Sequence, residues 1–137
     1  MDGRLRIASF NANSIRNRLS VILDWMIRNE CDIVCVQETK VEDAAFPLDP
    51  ILAAGYHCVF HGQKAYNGVA IISRDEPMDV MLGLGLDSPE DEARIIRAKF
   101  GDVVVVNTYV PQGFERGSDK FRYKLRWFGW LRDYLAE

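Results

Sequence analysis

Asp32-Ile33-Val34-Cys35-Val36-Gln37-Glu38-Thr39-Lys40 decides the fold. Ile33 to Val36 is an unbroken apolar run, which reads as a strand buried on both faces rather than one with a wet side. It ends in a carboxylate. Working outward, Leu5 to Phe10 ends at Asn11 and Asn13, and Val103 to Val106 ends at Asn107 and Tyr109. In open α/β sheets ligands bind just beyond the carboxyl ends of strands. A carboxylate, an amide pair and a phenol delivered there suit a hard cation and a phosphate.

The rest of the chain supplies layers for such a sheet. Arg4 to Asn11 reads as a strand, and Ser14 or Asn17 then caps a helix reaching about Arg28 with the stripe Leu19, Ile22, Leu23 and Met26. Pro47 to Ala54 reads as a short helix closed by Gly55. Tyr56 to His61 and Gly68 to Ser73 are strands, Met78 to Leu82 a weaker one, and Arg94 to Phe100 and Val103 to Val110 flank a Gly101-Asp102 turn. A final helix spans about Asp119 to Leu135, with Phe121, Leu125, Phe128, Leu131 and Leu135 expected inward. One strand–helix–strand crossover followed by hairpins predicts an α/β fold with a mixed, largely antiparallel sheet and flanking helices.

Composition sets bounds. A chain of 137 residues, 48% hydrophobic, is read as a single domain with a real core. The net charge of −3 excludes a global basic field. Locally, Arg116, Lys120, Arg122, Lys124, Arg126 and Arg132 face one acid, Asp119. That cluster suits a phosphodiester ligand, or is simply a solvated helix face. Cys31, Cys35 and Cys58 lack metal-finger spacing and read as buried free thiols. With no signal-type segment and no membrane-length apolar stretch, the cytoplasm is the expected location and no membrane partner is expected.

Each candidate residue has a plainer role beside the functional one. Glu38 is placed to hold magnesium, or is a rim carboxylate paired with Lys40. Asn13 can orient a carboxylate or cap the helix that follows; Asn11, further from the helix, is harder to explain as a cap. Tyr109 can donate to a phosphate oxygen or be a core-edge tyrosine. His57 and His61 share a strand parity but lie roughly 13 Å apart by strand rise, so they are not read as a metal pair.

Taken together, five segments resemble the exonuclease III branch of the endonuclease/exonuclease/phosphatase superfamily. They are Ser9 to Arg16, Val36 to Val41, Phe60 to Ala70, Arg94 to Ile96, and Asn107 to Gly113. The resemblance implies one half of a four-layer sandwich of two sheets and helices. It implies a divalent metal, magnesium or alternatively manganese, on Glu38, with Asn11 and Tyr109 in the catalytic centre. It further implies that Asn13 and Lys40 sit beside the metal, and that Arg16, Tyr66, Arg94 and Gln112 track the DNA backbone. Ser14 stands where the family's pattern has Gly, and Asn67 where Ser is frequent.

The implied activity is metal-dependent DNA repair phosphodiester hydrolysis, as 3′-5′ exodeoxyribonuclease or abasic-site endonuclease, on double-stranded DNA with abasic sites or 3′ ends. The alternatives are a superfamily phosphatase acting on inositol or lipid phosphates, and a non-catalytic half-domain. The family's Asp-x-Asn element and terminal Ser-Asp-His have no counterpart in this sequence. Residues 1–137 are therefore expected to form the N-terminal half of a catalytic domain, inactive alone. A missing sheet is expected to leave an apolar sheet face in water, favouring a homodimer through that face.

Overall fold

In the computed structural model, which describes residues 4–137, the quoted apolar run becomes the strand β2 (Ile33–Gln37), preceded by β1 (Ile7–Asn11) and helix α1 (Ile15–Arg28). β1 and β2 pair in parallel through that crossover, with Ile7 opposite Ile33 and Asn11 opposite Gln37. The short helix α2 (Leu48–Ala53) leads into β3 (His57–His61) and β4 (Val69–Ser73), which pair antiparallel. β4 inserts beside β2, giving the order β1-β2-β4-β3. The mixed, largely antiparallel architecture expected from the sequence is what forms.

The remaining strands do not join that sheet. β5 (Met78–Leu82), β6 (Ile95–Phe100) and β7 (Val103–Thr108) make a second, antiparallel sheet in the order β5-β6-β7. Gly101, at φ 59°, turns β6 into β7 in a conformation that costs glycine little.

This arrangement explains the apolar run. Alternate residues of a strand face opposite ways. Val34 and Val36 pack with Ile15, Leu19, Ile22 and Met26 of α1. Ile33 and Cys35 pack with Ile96, Ala98 and Val105 of the second sheet. β4, buried at every position, is sandwiched in the same way.

Two expectations need correction. The inner face of the first sheet is not left in water along β2 and β4, because the second sheet of the same chain covers it. Exposed apolar surface remains on the edge strands, at Ile7 and Phe10 of β1, at Met78, Val80, Met81 and Leu82 of β5 and at Val103 and Val104 of β7. The face between β2 and β4 and the second sheet is closed, however, so the reason for expecting a homodimer through an open sheet face falls away. The second correction concerns the last helix, α3 (Asp119–Ala136). Of the expected stripe Leu125, Phe128 and Leu135 point outward while Phe121 and Leu131 are half-buried; Trp127 is buried, and Tyr123, Trp130 and Tyr134 are half-buried. Both stripes have helical spacing. What selects between them is the surface beneath: the Tyr123 hydroxyl donates to the Glu90 carbonyl (2.8 Å), and Arg126 pairs with the Glu90 carboxylate (2.8 Å).

No helix among the described residues is long and apolar enough to cross a membrane.

Candidate active site at the carboxyl ends of the strands

The pairing of β1 with β2 continues beyond both strands. The amides of Ala12, Ser14 and Ile15 donate to the carbonyls of Gln37, Glu38 and Thr39 at 2.8, 2.9 and 3.0 Å. On the other flank the amides of Thr39 and Lys40 donate to the carbonyls of Gly68 and Asn67. The bond from Ile15 satisfies the first amide of α1, where the Ser14 side chain makes no cap. Together these bonds hold 38–40 between two neighbours in a strained course. Asn13, Ser14, Glu38, Lys40 and Asn67 all adopt positive φ, an accumulation typical of functional sites.

The carboxylate of Glu38 is the hub. Its Oε1 accepts from the Tyr109 hydroxyl at 2.7 Å and from Asn11 Nδ2 at 3.2 Å. Its Oε2 lies 3.5 Å from Lys40 Nζ, which also donates to Asn13 Oδ1. Asn11 Oδ1 in turn accepts the Asn13 amide at 3.1 Å. Thus the five residues that the sequence placed at strand ends meet at one rim, with the carboxylate and amides on the first sheet and the phenol on the second.

Protonation follows from these contacts. Partial burial pushes the Glu38 carboxyl up, but the hydrogen bonds from Tyr109 and Asn11 and the charge of Lys40 outweigh it, leaving the group below the usual carboxylate range. Burial, the hydrogen bond to Glu38 and that carboxylate's charge push the Tyr109 phenol up to about 12, against the opposing charge of Arg94. At neutral pH the pair is therefore a carboxylate and an intact O–H donor.

Beside Tyr109 opens a cleft of about 830 Å³, whose walls include Tyr66, Arg94, Gln112 and Tyr123. Tyr66 and Gln112 are exposed there. Arg94 is not: its side chain is 11% exposed, ion-paired with Glu92 (3.1 Å) and bonded to the Tyr109 carbonyl (3.3 Å), with its guanidinium 5.1 Å from the Tyr109 ring centre and 5.6 Å from that of Tyr123. Arg16 lies apart from the cleft, exposed in the first turn of α1. His57 and His61 sit on the edge strand β3.

Sequence reasoning gave no role to Gln37, Asn107 or Glu92. Gln37 and Asn107 bond each other at 2.7 Å beneath the Glu38–Tyr109 pair. The available signal was two amides interrupting otherwise apolar strand runs.

The donor set suits one kind of metal site. Among the described residues no three His, Cys, Asp or Glu side chains gather in a cage. A single ionised carboxylate at a partly open rim is what magnesium accepts when water and substrate phosphate complete its shell, and Glu38 fits that part.

A two-sheet sandwich with an acidic, amide-lined rim at its strand ends defines the class. Residues 8–137 match the endonuclease/exonuclease/phosphatase family, and the chain belongs to that family. It is 35% identical over 138 residues to exodeoxyribonuclease III of Haemophilus influenzae, covering 97% of this chain and 52% of that one. Among solved structures, an AP endonuclease from Archaeoglobus fulgidus superposes with a TM-score of 0.91 at 52% identity, covering 96% of this chain and 51% of its own. The 3′ phosphatase NExo from Neisseria, bound to a product DNA hairpin, also reaches 0.91, at 39% identity and 96% and 51% coverage. The chain spans about half the length of the curated relatives it matches.

Proposed function

We propose that this chain supplies one half of the active site of a divalent-metal-dependent DNA repair phosphodiesterase, acting on duplex DNA at abasic sites or 3′ ends. The observation that carries this reading is the 2.7 Å contact between Tyr109 and a Glu38 carboxylate also bonded by Asn11. Glu38 would hold magnesium or manganese, which when bound supplies positive charge against the phosphate oxygens. Tyr109, still protonated at neutral pH, would turn its O–H from Glu38 to a phosphate oxygen of the substrate. Asn11 keeps the Glu38 carboxylate oriented, and Asn13 fixes the ammonium of Lys40 beside it.

Arg16, Tyr66 and Gln112 are exposed and would contact the DNA backbone. Arg94 would join them only by exchanging Glu92 for a phosphate. Similarity to nucleases over half their length supports reading residues 1–137 as a single unit, the N-terminal half of such a catalytic domain. On this reading the remaining half of the relatives' length would supply the group that activates water, and residues 1–137 alone would be inactive. Three free thiols favour a reducing compartment, and we assign the cytoplasm.

The test is binding of an abasic-site duplex to the chain with and without magnesium. Glu38→Ala is expected to weaken metal-dependent binding about tenfold or more, a loss of roughly 1.4 kcal/mol or more, and the chain alone is expected to leave the strand intact. Unchanged binding in Glu38→Ala refutes the ligand role. Strand cleavage by the chain alone refutes the need for a second half, and phosphate release from inositol phosphates transfers the site to the other branch of the superfamily.

A further inference from the structure

The two partners at the centre of the site stand on different sheets. Glu38 follows β2 in the first sheet, and Tyr109 follows β7 in the second. The body of the interface between those sheets is apolar, built from Ile33, Cys35, Val69 and Ile71 against Ile96, Ala98, Phe100 and Val105. Apolar contact is non-directional, so it does not fix how far one sheet slides over the other. A hydrogen bond of 2.7 Å does need that register, since such bonds are lost beyond about 3.5 Å.

Asn107 provides a directional tie. It is 2% exposed, two residues before Tyr109, and so faces the first sheet with the same parity. Its Nδ2 donates to the carbonyls of Val36 (2.9 Å) and Ala70 (2.8 Å), which lie opposite each other on β2 and β4. Its Oδ1 accepts from Gln37 Nε2 at 2.7 Å, and Gln37 Nε2 also reaches Ser9 Oγ on β1 at 3.0 Å. One amide from the second sheet is thereby pinned to two strands of the first, and through Gln37 to a third, one rung beneath Glu38. A fifth valine would continue the run 103–106 and suit both strand and interface. A buried amide in that place is a device for register.

We propose that Asn107 is a positioning residue: its amide, tied to Gln37, Val36 and Ala70, sets the register of the two sheets and thereby holds Tyr109 within reach of Glu38. The proposal takes the importance of that pair from the function proposed above, but its test needs neither DNA nor turnover, so the two fail separately.

The experiment is a double-mutant cycle, Tyr109→Phe with Glu38→Ala, read as urea unfolding of the chain and run twice, with Asn107 and with Asn107→Val. With Asn107 present the two substitutions are expected to be non-additive. In Asn107→Val they are expected to become additive within error while the chain still unfolds cooperatively. A clamp that merely stabilised the fold would lower the unfolding midpoint and leave the coupling intact, and that result overturns the proposal. If Asn107→Val does not fold, Asn107→Ser, which keeps one hydroxyl but cannot span Val36, Ala70 and Gln37 together, carries the cycle with the same two outcomes.

Discussion

Replacing Tyr109 by Phe removes one hydroxyl and leaves the ring against Arg94, so the loss can be worked from a single contact. The hydroxyl donates at 2.7 Å to an ionised carboxylate. Bonds to charged groups contribute about 1.5–3 kcal/mol, and partial exposure of Glu38 (20%) places this one near the lower end. The expected destabilisation at pH 7 is about 1.5 kcal/mol. Its pH dependence is the discriminating part. Glu38 titrates below its ordinary range in the fold, so its stabilisation is present above the unfolded value of about 4.3 and is lost as pH falls through the lowered folded one. The cost of Tyr109→Phe should therefore shrink in acid.

At the alkaline end the sign reverses. Tyr109, pushed up to about 12, contributes stability below the ordinary phenol value of about 10, lost as pH rises through the folded value. That loss should be absent in the Phe variant. Urea unfolding of both proteins across pH measures this; with a slope of roughly 1.5 kcal/mol/M the midpoints differ by about 1 M at pH 7. A difference that keeps its size down to the most acid pH at which both proteins still fold would refute the reasoning, because it would mean that the hydroxyl does not serve an ionised Glu38.

Two further substitutions probe the scaffold. Gly68, at φ +97°, has no room for a side chain: a Cβ there would lie 1.9 Å from Thr39 Oγ1 and 3.3 Å from the Lys40 amide. Gly68→Ala should cost about 1–3 kcal/mol and also weaken magnesium binding, since it displaces the segment carrying Glu38; a normal unfolding midpoint would show that the contact yields cheaply. Trp127→Ala should cost about 3–5 kcal/mol, whereas Leu125→Ala should stay within about 0.5 kcal/mol. Calorimetric melting of the two variants settles which face of α3 is inward, and the reverse order would restore the face expected from spacing.

Much of the fold was legible because it is local. The apolar run 33–36, the Gly101-Asp102 turn and the stripe of α1 all reached their expected elements. Periodicity and turn chemistry act within a few residues, and a sequence displays them directly. Which side chains stand at strand ends followed from the same information, so Glu38, Asn11 and Tyr109 could be named before any coordinate.

Partnership was not legible, because it joins residues far apart in the chain. Nothing between 74 and 94 announces that the last three strands leave the first sheet and cover it. The two candidate stripes of α3 have the same period, and Glu90, more than thirty residues earlier, chooses between them. Arg94 looks like a free cation until Glu92, Tyr109 and Tyr123 surround it. The sequence by itself determined the strands, their polar ends and the chemistry available there, since those are properties of neighbouring residues. Tertiary structure alone decided that Glu38 and Tyr109 touch, because that distance depends on how two sheets are registered, and an amide seventy residues from its partner sets the register.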